Sequence, residues 1–103
     1  MALRFEHNTT MNRQTRGLSE DALESFRTAF IGVMEFGHYF RITSPGSLEL
    51  WRWTLNVQVG TDNTSGLVTS ENEVRAKITS FYDEMLEAAD LVERHYQPQL
   101  QIA

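Results

Sequence analysis

Polar and apolar residues alternate in this sequence at places where chemistry can sit. Arg4, Arg41, Arg52, Thr54, Asn56 and Gln58 each stand between apolar neighbours in extended-looking runs, and Tyr39 has the same parity as Arg41 in its run. Residues of one parity in a strand share a face. Collected on one sheet, these side chains form a surface of three guanidiniums, a phenol, a hydroxyl and two amides. Guanidiniums bind carboxylates and phosphates with two parallel hydrogen bonds, so a small anion or an acidic protein surface is the ligand such a face suits. The ordinary alternative is a solvated sheet face or a dimer contact.

Other chemistry is poorly supported. The chain has no cysteine, which removes disulfides, thiolate metal sites and a cysteine nucleophile. His7, His38 and His95 are scattered, and the spacing of Glu35 to His38 is broken by Gly37. Asp83, Glu87 and Asp90 recur at helical spacing, as on the solvated face of any amphipathic helix, and no metal site is assigned to them. No phosphate-binding glycine loop or nucleophile elbow is present. No catalytic residue and no cofactor are expected.

The elements that would position the polar face follow from periodicity. Leu3 and Phe5 alternate with Arg4 and Glu6, giving a short first strand or an N-terminal tail over 1–17. Ser19 with Glu20 and Asp21 forms a helix start. Leu23, Phe26, Phe30, Val33 and Met34 then read as one helical stripe ending at Gly37. His38 to Thr43 alternates, with Phe40 and Ile42 on the core side and Tyr39 and Arg41 on the other. Ser44–Pro45–Gly46–Ser47 reads as a turn. The run LELWRWTLNVQVG over 48–60 follows as a second hairpin strand, with Trp51, Trp53, Leu55, Val57 and Val59 facing the core. An exposed aromatic patch is the alternative for the two tryptophans.

The last helix carries the clearest signature. Ser70 and Glu73 have capping-box spacing. Val74, Ile78, Phe81, Met85, Ala88 and Val92 form its apolar stripe, and Glu71–Arg75 and Glu73–Lys77 are ion-pair spacings. Pro98 is expected to end it near Tyr96, about 39 Å from its start at 1.5 Å per residue. Leu100 and Ile102 then alternate with Gln99 and Gln101 as a final strand. This order predicts one compact α+β domain over 18–103, a two-layer sandwich with two helices on one face of an antiparallel sheet. Its core is αββα, and with both weak strands it becomes the ferredoxin-like βαββαβ order.

Composition bounds the function. The 103 residues carry a net charge of −5, and 41% are hydrophobic. Residues 1–52 hold six arginines against six carboxylates. Residues 53–103 hold three basic residues against eight acidic ones. An acidic chain without a basic helix does not suit nucleic acid. No run is apolar enough for a membrane helix, and a cytoplasmic location is expected. A last helix longer than its sheet suggests packing against a second chain through Val74, Ile78, Phe81, Met85 and Val92. The expectation is a small non-enzymatic binding or regulatory protein. It would act through protein–protein contacts, as a homodimer and with an unidentified protein partner, much as small phage- or plasmid-type accessory proteins do in size and make-up. The alternative is a cofactor-free enzyme or ligand binder of the dimeric ferredoxin-like barrel type, built on the same sheet face.

Overall fold

In the computed structural model, residues 2–7, 15–43, 49–60 and 63–102 are described, with side chains described to residue 90. The elements are β1 (Leu3–His7), α1 (Glu20–Ser25), β2 (Arg27–Ile31), β3 (Met34–Thr43), β4 (Glu49–Leu55), β5 (Ser65–Val68) and α2 (Glu71–Ile102). The five strands form one antiparallel sheet in the order β1-β2-β3-β4-β5. The fold is α+β, with α2 packed on one sheet face.

The tryptophan strand lies as its alternation dictates. Trp51, Trp53 and Leu55 are buried beneath α2 with Val59. Trp53 meets Phe81 at 5.3 Å between ring centres, and Tyr39 meets Trp51 at 5.8 Å. Val74, Ile78, Phe81 and Tyr82 supply the helical side of the core, and Met85 packs partly against it. Ser70 caps α2 as expected, its hydroxyl accepting from the Glu73 amide at 3.1 Å. The Glu73 carboxylate accepts from the Thr69 hydroxyl at 3.0 Å.

Three expectations are corrected. The first helix does not run to Gly37. Ser19 caps it, accepting from the Ala22 amide at 3.2 Å, but it stops after Ser25. The stretch beyond is rich in aromatic and β-branched residues (Thr28, Phe30, Ile31, Val33), which suit a pleated surface. It folds as the β2–β3 hairpin, turning at Gly32 and Val33 with Gly32 at φ +64. A two-residue hairpin loop needs such a backbone, and glycine adopts it freely. The helical stripe was an overlay of residues on both faces of a strand pair.

The second correction concerns β3. Thr43 pairs with Glu49, Arg41 with Trp51 and Tyr39 with Trp53, so five residues separate the hairpin strands. A four-residue turn over 44–47 would have put Phe40 and Ile42 opposite the tryptophan side. One residue more reverses every side chain. Tyr39 and Arg41 therefore lie on the α2 face, while Phe40 and Ile42 share the opposite face with Arg52. The turn itself lies outside the described residues, as do residues 8–14 of the expected N-terminal loop.

The third concerns topology. The short α1 lies beside the end of β3 and does not join α2 as a second helix on its face. The Ser25 hydroxyl accepts from the Arg41 amide at 2.8 Å, in the place a continued β2 would occupy. Thr43 donates to the Asp21 carboxylate at 3.3 Å. The sheet order is sequential, unlike the 4-1-3-2 order of a ferredoxin-like sheet. The expected C-terminal strand is absent because α2 continues through Pro98 to Ile102, carrying Leu100 and Ile102 along the helix instead of to a sheet edge. The early strand, β1, pairs with β2 as a sheet edge.

A β-bulge between Ala29 and Phe30 shifts the β2–β3 register and leaves Phe36 between paired positions. Phe36 is fully buried in the α2-side core and meets Tyr82 edge-on at 6.1 Å.

Candidate functional site: the cleft at the start of the long helix

The polar residues singled out by sequence do not converge. Arg4 and Arg52 share the face opposite α2 but stand on β1 and β4, three strands apart, roughly 14 Å at the usual strand spacing. Arg4 is engaged locally: it pairs with Glu6 at 3.1 Å, donates to the Gly32 carbonyl and lies 4.9 Å over the Phe30 ring. Thr54 is half-buried opposite His38. Asn56 and Gln58 lie beyond β4, exposed, donating to the Glu35 and Gly60 carbonyls. The expected three-arginine face does not form.

Tyr39 and Arg41 are drawn to a different place. Tyr39 is fully buried, with its hydroxyl reaching the first turn of α2. It donates to Glu71 Oε2 at 2.8 Å and accepts from Arg75 Nε at 2.7 Å. Arg75 also approaches Glu71 at 3.6 Å and lies 5.0 Å over the Phe5 ring. The phenol is thus held by both a carboxylate and a guanidinium. Burial, reinforced by the bond to Glu71, pushes its pKa up to about 12.

Beside this network is a cleft of about 220 Å³ lined by Glu24, Ser25, Arg27, Arg41, Trp51 and Glu71. The end of α1 provides Glu24 and Ser25, and β2, β3 and β4 provide one residue each. Arg27 donates to the Glu24 and Phe26 carbonyls at 3.0 and 2.9 Å. Arg41 stands between two carboxylates at longer range, Glu49 at 3.6 Å and Asp21 at 3.9 Å. Two donors in the cleft residues, Arg41 Nε and Trp51 Nε1, are buried without an acceptor.

A second, larger groove of about 420 Å³ runs between β5 and α2, lined by Trp53, Leu67, Lys77, Phe81 and Glu84 among others. Lys77 fills part of its wall as a cation over aromatic rings, 5.4 Å from the centre of Phe81 and 6.0 Å from that of Trp53. On the far side of the sheet, His38 stacks on Phe26 at 5.1 Å. Burial lowers its pKa, helped by the nearby Arg52 charge. Among the described residues no cluster of three His, Asp or Glu side chains is placed to hold a metal ion.

Sequence inspection missed Glu71, Glu24, Arg27 and Trp51 as companions of Tyr39 and Arg41. The one local signal was the Glu71–Arg75 spacing at the start of the helix. What brings the phenol to that pair is the hairpin register, which no spacing along the chain displays.

The expected interface stripe divides. Val74, Ile78 and Phe81 are buried against the chain's own sheet, and Met85 is half-buried. Every residue from Leu86 to Asp90 is exposed, Leu86 at 47%. The side chain of Val92 lies outside the described residues. Among the described residues no helix is long and apolar enough to cross a membrane. Compared with known families, curated proteins and solved structures, the chain matches none of them.

Proposed function

We propose that this protein acts through contact with other proteins and that its primary partner is a second copy of itself, joined along the outer half of α2. The observation that carries this reading is the mismatch between helix and sheet. The 32 residues of α2 span roughly 48 Å at 1.5 Å per residue. Among its residues up to Asp90, whose side chains are described, the last buried one is Tyr82 and the last partly buried one is Met85. The molecule measures 62 × 25 × 19 Å, with a radius of gyration of 16.7 Å. A compact domain of this length has roughly 13 Å.

A helical extension without packing gains little from propensity alone, because helices in water draw most of their stability from an apolar face buried on something. The sequence of this extension continues to supply one, with Leu86, Ala89 and Val92 at helical spacing. Two such extensions side by side would bury these positions in each other. The acidic residues Asp83, Glu84 and Glu87 then form the outer surface of the pair, available to a basic partner.

The test is sedimentation equilibrium of the whole chain, alone and as Leu86→Glu and Val92→Glu. A dimer mass for the parent and a monomer mass for the variants support the reading. A monomeric parent at high micromolar concentration overturns it.

A further inference from the structure

We propose that the sheet edge at β5 receives an extended peptide from a partner protein, laid as a sixth strand along the groove between β5 and α2. The sheet ends at β5, and among the described residues no strand pairs with its outer side. The ladder fixes which groups face outward. Leu55 donates to the Thr64 carbonyl at 2.7 Å, and the same register pairs Trp53 with Gly66 and Trp51 with Val68. In an antiparallel ladder, hydrogen-bonded pairs alternate with unbonded ones. The amides and carbonyls of Gly66 and Val68 therefore turn toward β4, and those of Ser65 and Leu67 turn outward. Such an edge is a template for an added strand, whose backbone supplies the missing bonds.

The two sheet edges differ. β1 carries Arg4, Glu6 and His7, all exposed, and charges on an edge discourage further pairing. β5 reads SGLV and carries no charge. Leu67 is 56% exposed and shares the face of Arg52, opposite α2, where the alternate residues of an added strand would cover it. On the α2 side of the same edge lies the groove of about 420 Å³, with Trp53 and Phe81 in its wall. Gly66 adds no side chain there, and a Cβ at that position would meet the Trp53 ring at 2.8 Å.

Charge sets the occupant. Lys77 and Glu84 both line the groove, two helical turns apart, roughly 10.5 Å at 1.5 Å per residue. Among the described residues neither has a salt-bridge partner. Glu71 meets Tyr39 and Tyr82 meets Phe36, so α2 runs antiparallel to β3, and hence to β5. A peptide antiparallel to β5 then runs with α2 and passes Lys77 before Glu84. Every second residue of it faces the groove, and the first and fifth stand roughly 13 Å apart. The sequence that fits is an acidic residue, a large apolar residue two positions on, and a basic residue two positions beyond that. A second copy of β5 does not supply this pattern, because its groove-facing residues would be Gly66 and Val68, small and uncharged.

The experiment titrates the whole chain with the blocked peptide Thr-Glu-Val-Leu-Val-Lys-Thr and with its charge-swapped form Thr-Lys-Val-Leu-Val-Glu-Thr, following backbone amide shifts and hydrogen exchange. The first peptide is expected to bind with a Kd below about 1 mM and to slow exchange of the Ser65 and Leu67 amides severalfold. The swapped peptide should bind about fivefold more weakly, and the double variant Lys77→Glu with Glu84→Lys should reverse that preference. Glu84 is exposed, so Glu84→Lys alone, which should narrow the preference, tests the pattern where the double variant does not fold. Leu67→Pro removes an outward N–H without touching the bonds of Gly66 and Val68 to β4, and should abolish binding. No saturable binding below 1 mM, equal affinity for the two peptides, or unchanged binding by folded Leu67→Pro overturns the proposal. So does protection of the Ser65 and Leu67 amides in the free chain that grows with its concentration, which would assign the edge to a second copy. The peptide readout is the same whether or not the chain dimerises along the outer half of α2.

Discussion

The Tyr39 hydroxyl and the Glu71 carboxylate meet at 2.8 Å, and this bond ties the middle of the sheet to the first turn of the long helix. Arg75 completes the tie from the next turn, donating to the same hydroxyl at 2.7 Å. Tyr39→Phe keeps the ring and removes both bonds. The expected cost is about 1–2 kcal/mol, measured by urea unfolding. A Glu71→Gln variant, which still offers an acceptor, should lose less than Tyr39→Phe.

The same network sets the behaviour of the protein in alkali. Its folded pKa of about 12 lies above the unfolded value near 10. The network's stabilisation is therefore complete below pH 10 and is lost as pH rises from 10 through 12. Ultraviolet titration of tyrosinate should show a component ionising late, and that component should vanish in Tyr39→Phe. A Tyr39 that titrates near pH 10 in the folded protein contradicts the buried geometry.

Gly37 is a position of close approach. A Cβ there would stand 2.5 Å from the Thr54 carbonyl oxygen and 3.3 Å from the Leu55 Cα, both backbone atoms of β4. The backbone cannot yield without opening the β3–β4 ladder. Gly37→Ala should destabilise by about 2–3 kcal/mol in thermal or urea unfolding. A variant as stable as the parent would mean that the strands are spaced differently.

His38 predicts sensitivity to mild acid. Its folded pKa is lowered by burial against Phe26 and then by the Arg52 charge, so the unfolded chain takes up the proton first. Stability should fall as pH drops from about 6.5 through the lower folded pKa, with a slope of at most about 1.4 kcal/mol per pH unit for one proton. Subtracting the same profile for His38→Gln isolates this residue from the carboxylates and the other histidines. Parallel profiles for the two chains would show that His38 does not carry the effect.

These residues also show where sequence reasoning works. The Trp51–Leu55 alternation identified its buried face because every second residue is large and apolar. The capping of α2 by Ser70 and of α1 by Ser19 was visible because a cap is a local arrangement of three or four residues. The hairpin at Gly32 was not recognised, although a glycine inside a supposed helix carries its own penalty of about 1 kcal/mol. The site failed for a different reason. Tyr39 and Arg41 were identified as polar residues of interest, but their face depends on how many residues separate β3 from β4. One residue of loop moved both from open sheet to the helix side, and with them the partners they meet.

The sequential strand order has a consequence for how the chain comes together. Each strand pairs with the next one along the chain, so most sheet contacts join residues close in sequence. Such low contact order places folding toward the faster end for a sheet of this size. During synthesis from the N-terminus each hairpin finds its partner as soon as both strands are made. The seal does not: α2 is last, and until it docks the Trp51–Trp53 face stands open to water. The interval between a finished meander and a docked helix is when this chain is most exposed to aggregation, and indole fluorescence reports its end.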